Sequence, residues 1–410
     1  MEQDWFEVQW HLGKVQVTRQ SGKRSRPRPG NVLVKMISCG ICAADVRAIT
    51  GNKSISEPQG RYIIPGHEGF GRVITAGRKV THFQPGDYVT ILPHMHLPLT
   101  SLSERVCQAT EVNPTCIGNG HTSHMGWDTD GCFADFIEVP ASNLIRVPQA
   151  SIELARKLAP GLGEAVFALV EPMSCVLSAY RLIEMRHQTF RLSDFPSGRA
   201  LVIGCGPIGI LHSLALLDQG FTVWLMDTQP RRSSLARWCL GQRVHILDPE
   251  SSINEFDLVM ITASSAQAIR MGETLVRDNG IIYLFSGLNT PERRATDVDD
   301  TFSYERVHRT AKGLLTTSQA LTVERSLLYM GHSGYFETMM PTAIETVARH
   351  ADVLDRAITG VVSGWTSSCL ASRLPGGVDW TTEDGSPALI QILHGLELRD
   401  RHCKLLILVQ

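Results

Sequence analysis

A chain of 410 residues is longer than one hydrophobic core supports, so more than one domain is expected. Its 43% hydrophobic and 20% charged residues, with 35 glycines, are the composition of a turn-rich globular protein. A formal net charge of −2 argues against a general nucleic-acid binder and against a protein that works on membrane surfaces.

The first residues (MEQDWFEVQW) are charged and lack the apolar centre of a signal peptide. No apolar run long enough to span a bilayer is read anywhere in the sequence. The ten cysteines are scattered, which is not the spacing of a disulfide framework, and a reducing cytoplasm is the expected setting. The basic run Lys23 to Arg28 (KRSRPR) is short, carries prolines and reads as a solvated loop.

In chain order, residues 1–172 are dominated by short β-type runs broken by Gly and Pro: Asn31 to Ile37, Gly71 to Thr75, Tyr88 to Leu92 and Phe136 to Val139. That pattern predicts a strand-rich, partly barrel-like domain. From about Arg199 strands alternate with helices, at Ala200 to Ile203, Thr222 to Met226, Val244 to Leu247, Leu258 to Thr262 and Ile281 to Phe285. The α/β alternation predicts a doubly wound parallel sheet over residues 173–334. The tail, residues 335–410, is mixed; a helix is expected over Pro387 to Leu398 and a buried strand over Lys404 to Val409, packing back on the first domain.

Gly204-Cys205-Gly206-Pro207-Ile208-Gly209 follows an apolar strand and opens a helix. The first glycine permits a tight turn, the second lets backbone approach a pyrophosphate, and the third lets helix pack closely on strand. The helix N-terminus offers free N–H groups and a positive dipole end to phosphates. Asp227, at the end of the next strand, is placed to accept hydrogen bonds from an adenosine ribose, which favours NAD over NADP. Arg231 and Arg232 nearby pull the other way, and Arg232 is a candidate cofactor contact.

Two short segments carry metal-ligand types: Gly40 to Asp45 (GICAAD) and Gly66 to Gly69 (GHEG). Together they offer a thiolate, an imidazole and a carboxylate, the donors of an open catalytic zinc site. Taken singly, Cys42 is better explained as a core residue and the His67-Glu68 pair as a surface pair.

Their context decides between these readings. The segments Pro29 to Lys35 (PGNVLVK), Cys39 to Asp45 (CGICAAD), Gly66 to Gly71 (GHEGFG), Phe83 to Val89 (FQPGDYV), Asp130 to Pro140 (DGCFADFIEVP), Glu171-Pro172 and Ile203 to Gly209 (IGCGPIG) occur in order along nearly the whole chain. In this the chain resembles the zinc-dependent medium-chain dehydrogenase/reductase family, in its sorbitol/threonine dehydrogenase-like branch. The resemblance implies a GroES-like catalytic domain with a Rossmann domain. It also implies that Cys42 and His67 ligate Zn2+, that Glu68 is the third ligand with Glu171 as alternate, and that Asp45 orients the histidine.

Two departures stand out. Where the family carries a Ser or Thr and then a His that move the alcohol proton, this chain has Ala44 and Arg47, neither of which relays a proton. Glu68, Glu171 or a bound water are the substitutes, and Arg47 is a candidate contact for a cofactor ribose or an anionic substrate group. The family's cluster of four cysteines is replaced by His94, His96, Cys107 and Cys116, a rebuilt zinc site or a lobe without metal; His121 and His124 are candidates to line the cleft.

The expected function is interconversion of a secondary alcohol and a ketone on a polyol, cyclitol, sugar or amino alcohol. The segment Tyr304 to Gly313 (YERVHRTAKG) resembles polyol- and cyclitol-acting members. An NAD-retaining epimerase or lyase, or a metal-free binding protein of the same fold, are the alternatives. No nucleic-acid or membrane partner is expected, and the family resemblance suggests a homodimer or homotetramer.

Overall fold

Strand Asn31–Gly40 buries seven of its ten residues and pairs with three neighbours, which makes it the hub of the first half of the structure. The computed structural model describes residues 3–11, 14–22, 26–50, 62–96, 122–186, 198–250, 255–288, 318–321, 326–332, 334–394 and 403–409. The chain forms two units, one from the described residues of Met1–Leu97, Thr122–Glu171 and Met340–Gln410, the other from those of Pro172–Met339.

The first unit is built on a nine-stranded, largely antiparallel sheet in the order Trp380–Thr381, Cys369–Ser372, Ile358–Ser363, Lys404–Leu408, Asn31–Gly40, Glu68–Ala76, Tyr88–Ile91, Leu144–Arg146, with Phe136–Pro140 also on Asn31–Gly40. The tail's last strand sits inside this sheet, antiparallel to Asn31–Gly40 (Leu406 opposite Gly40) and parallel to Ile358–Ser363. An N-terminal hairpin, Gln3–His11 with Lys14–Gly22, is tied on by Val8 N–H to Phe133 C=O and Trp10 N–H to Ile63 C=O. Val34, Met36, Phe133, Leu393 and Ile407 are among its fully buried core residues.

The second unit carries a seven-stranded sheet in the order His245–Ile246, Thr222–Met226, Arg199–Ile203, Phe256–Ile261, Val276–Leu284, Ser326–Gly331, Ser318–Leu321. Every pair is parallel except the last. Counted along the chain, the parallel strands run 3-2-1-4-5-6, the doubly wound Rossmann order. Helices Pro207–Asp218, Pro230–Leu240 and Ala266–Leu275 alternate with these strands.

Several expectations need adjusting. The strand expected at Val244 to Leu247 is only His245–Ile246, because it lies at the sheet edge with one partner. The expected Pro387 to Leu398 helix is Ala388–Leu393, closed at His394, and residues 395–400 lie outside the described residues. Strand Val276–Leu284 begins earlier than expected, with a register shift and Asn279 at φ 58°. Helix Gln149–Leu158, within the strand-rich stretch, has no counterpart in the sequence reading. Nor has the helical stretch Gly163–Glu184, which by length and composition alone could cross a membrane, against the expectation that no such run exists. Its apolar window is 83% buried within the protein, the mark of a core helix.

Candidate metal centre and nucleotide loop

The strand Asn31–Gly40 ends where helix Ala43–Ile49 begins, and Cys42 is that helix's N-cap. Its extended backbone (φ −92°, ψ 149°) lets the sulfur accept from Ala44 N–H at 3.4 Å. Asp45, three residues on, closes the capping box: its Oδ2 accepts Cys42 N–H at 3.0 Å. The other oxygen, Oδ1, accepts His67 Nδ1–H at 2.9 Å, with both side chains buried. That bond fixes the imidazole tautomer and leaves Nε2 as the available ligand atom.

His67 directly precedes strand Glu68–Ala76, and Glu68 is that strand's first residue, opposite Gly40. One potential ligand atom each from Cys42, His67 and Glu68 lies within 4.8 Å of the others, the one such group among the described residues. The donor set of thiolate, imidazole and carboxylate suits zinc. The surroundings also favour a cation there. Burial alone would discharge His67, yet the Asp45 carboxylate and Cys42 sulfur hold its pKa well above the ordinary histidine value. A site that stabilises a proton on imidazole against burial is built for positive charge.

Lys404 is the site residue that the sequence did not reveal. It opens the tail strand, is 5% exposed, and places Nζ 2.5 Å from Glu68 Oε2 and 3.1 Å from the Ile41 carbonyl. Burial opposes its charge, but Glu68, Cys42 and Asp45 raise its pKa, so it remains a cation. In sequence it is the polar start of an apolar run, and only the pairing with Asn31–Gly40 brings it here.

The other expected residues fall in varied places. Glu171 is buried in the first turn of Val170–Arg186 and is not in the group of three. Ala44 is part-buried, and Arg47 is exposed in the helix's last turn. His124 packs against His67 (ring centroids 5.3 Å) and stacks on Trp127 at 3.6 Å. Its Nδ1–H donates to the Met125 carbonyl at 2.7 Å. His94 is buried with its ring edge-to-face on His124. His96 lies in strand His94–His96, whereas Cys107, Cys116, His121 and Tyr304 to Gly313 lie outside the described residues.

In the second unit the glycine loop joins strand Arg199–Ile203 to helix Pro207–Asp218, with Gly206 as N-cap and Pro207 in the first turn. Gly204 sits at φ 113°, a conformation side chains resist. A Cβ on Gly209 would lie 1.9 Å from the Gly204 carbonyl, so helix and turn touch there. By contrast nothing lies within 4 Å of a Cβ on Gly206, so that side of the turn is open to a phosphate. Ile208 follows in the helix's first turn. Asp227 accepts Cys205 N–H through Oδ2 and Gln229 N–H through Oδ1, both at 2.9 Å. Burial and then Asp227 push the Cys205 thiol up to about 12, so it stays neutral, with Arg232 near enough to oppose this.

Residues 28–149 match the alcohol dehydrogenase GroES-like domain. The glucose 1-dehydrogenase of Methanocella arvoryzae is 29% identical over 286 residues, covering 67% of this chain and 73% of that protein. The L-threonine 3-dehydrogenase of Bacillus velezensis is 26% identical, covering 65% and 70%. Among solved structures, Haloferax mediterranei glucose dehydrogenase in complex with NADP, Zn and gluconolactone shares the fold at a TM-score of 0.67, with 16% identity and 99% of both chains covered.

Proposed function

We propose, from the premise that this chain belongs to the zinc-dependent medium-chain dehydrogenase/reductase family, that it interconverts a secondary alcohol and a ketone on a polar small molecule such as a polyol, cyclitol, sugar or amino alcohol. As an enzyme it is a zinc-dependent, NAD(P)-linked alcohol dehydrogenase. The observation that carries the reading is the grouping of Cys42, His67 and Glu68, with Asp45 bonded to both the cysteine's N–H and the histidine. The names of the relatives, which act on glucose and threonine, support a polar substrate.

When bound, zinc supplies Lewis acidity at the substrate oxygen and the nicotinamide supplies the hydride acceptor. Cys42 and His67 would hold the ion, Asp45 keeps His67 in the ligating tautomer, and Glu68 offers the third donor. Ala44 has no group to carry a proton and Arg47 stays charged at working pH, so the substrate proton leaves by Glu68, Glu171 or water. Asp227 supports NAD over NADP by accepting from the ribose; both its oxygens already accept one backbone N–H and retain a further lone pair. A cytoplasmic homodimer or homotetramer completes the proposal, and the eight described cysteines, none of them in a disulfide, suit a reducing compartment.

A panel of polyols, cyclitols, sugars and amino alcohols, followed at the reduced-cofactor absorbance with NAD and NADP, tests it. Net reduction of cofactor by at least one class is expected, faster with NAD. No turnover by zinc-replete protein across the panel would overturn the proposal. Reduced cofactor that rises and decays within a single turnover would identify an epimerase or lyase, a reading the missing relay at Ala44 favours.

A further inference from the structure

We propose that Lys404 is a positioning residue of the metal centre: from the chain's last strand it holds the Glu68 carboxylate and limits how tightly that carboxylate grips a bound dication. The proposal rests on the reading that Cys42, His67 and Glu68 hold zinc.

The geometry leaves Glu68 little freedom. Its Oε2 lies 2.5 Å from Lys404 Nζ, and the two side chains are 2% and 7% exposed. The same oxygen occupies the space above Gly40, where a Cβ would come within 1.9 Å of it. Lys404 is equally constrained: Nζ also donates to Ile41 C=O at 3.1 Å, Ile41 N–H bonds to Leu405 C=O, and Leu406 stands opposite Gly40. An ammonium is a compact point charge, and here one donor is committed to Ile41 C=O while the charge is paired with Glu68.

Charge then sets the direction of the effect. Cys42 as thiolate, Glu68 and Asp45 bring three negative charges to a dication, and Lys404 cancels the surplus. Lys404 and the metal therefore compete for one carboxylate. A buried carboxylate that loses its ammonium partner has the metal as its remaining cation, so removing Lys404 should tighten metal binding. A lysine that merely braced the fold would do the reverse, because its loss would loosen the site and shed metal.

The test uses zinc-loaded full-length protein and the variants Lys404→Met, Glu68→Gln and the double variant Glu68→Gln/Lys404→Met. Zinc release to an excess of chromogenic chelator gives one readout, and the visible absorption bands of the cobalt-substituted proteins give another. Lys404→Met is expected to release zinc about ten-fold more slowly and to shift the cobalt bands as Glu68 moves fully onto the metal. Glu68→Gln is expected to release zinc about ten-fold faster, because the ammonium then faces the ion unopposed, and adding Lys404→Met should restore much of the loss. Release from Lys404→Met at or above the wild-type rate overturns the proposal. If Lys404→Met does not fold, the isosteric neutral pair Glu68→Gln/Lys404→Met decides it, and no gain over Glu68→Gln alone overturns it. Wild-type protein that fails to hold stoichiometric zinc, or Cys42→Ser that holds it normally, removes the metal-site reading itself and this proposal with it.

Discussion

Asp45 ties two candidate ligands together with one carboxylate, accepting Cys42 N–H on one oxygen and His67 Nδ1–H on the other. Asp45→Asn keeps the volume but removes the charge and one of the two acceptors. Zinc affinity is expected to fall about 10- to 100-fold in a chelator titration, and an affinity within about two-fold of wild type would show that Asp45 does not orient His67. In the second unit, His212 bonds Tyr180 Oη through Nδ1 at 2.6 Å, and burial, with His332 beside it, pushes its pKa down to about 3. The unfolded chain takes up that proton near the ordinary histidine pKa while the native state refuses it, so stability falls as pH drops from about 6.5 towards 3. At pH 5 the loss from this residue is about 2 kcal/mol, and His212→Leu should flatten the acid limb of a urea-midpoint profile over that range. An unchanged profile would place the acid sensitivity elsewhere. Cys42, Asp45, His67 and Glu68 stand out as candidates in the sequence because their segments match a family pattern, and the structure brings their side chains together. Lys404 does not, because it reaches the carbonyl of Ile41 across 363 positions and looks in sequence like the edge of an apolar strand.

At the scale of elements, the nucleotide turn separates two roles that its glycine pattern runs together. Gly209 is needed for folding: any Cβ would sit 1.9 Å from the Gly204 carbonyl, so Gly209→Ala must push helix Pro207–Asp218 off its strand. A stability loss of about 1–3 kcal/mol is expected, visible as a lowered melting temperature without cofactor. Gly206 has φ −77° and open space around it, so Gly206→Ala should leave the cofactor-free melting temperature nearly unchanged yet weaken NAD binding where the phosphate would approach. Equal melting losses in the two variants would refute this division of roles. The parallel strands were readable because buried runs such as Leu258 to Ile261 are apolar throughout, whereas the run Val244 to Leu247, also read as a strand, pairs only at His245–Ile246 because it has one partner and an exposed face. Helix Gln149–Leu158 was hidden by the β-type runs on the segment before it, and its own apolar stripe is thin, with only Ile152 and Ala155 buried.

On the scale of the whole molecule, the sequence points to a return of the tail to the first domain but not to its place inside the first sheet. The continuous apolar run told of a buried strand at Lys404 to Val409, but register and neighbours depend on packing between distant segments. In the structure this strand fills an interior position, parallel to Ile358–Ser363 on one side and antiparallel to Asn31–Gly40 on the other. Leu405, Leu406 and Ile407 are 5%, 0% and 0% exposed. Burying each contributes about 1.5–3 kcal/mol, so together they match much of the roughly 5–15 kcal/mol that holds a typical domain folded. Losing the strand would also unpair Ser38 to Gly40 on one side and Ile358–Ser363 on the other, exposing strand edges that invite aggregation. A chain ending at Cys403 is therefore expected to lose the cooperative melting transition of the first unit and to elute as aggregate in size exclusion. The Lys404→Met variant, which keeps the strand and loses only the charge, is expected to retain both the transition and its elution volume. If the truncated chain melted cooperatively within a few degrees of the full one, the tail strand would be an accessory to the sheet, and Lys404 would owe its position to something other than the strand that carries it.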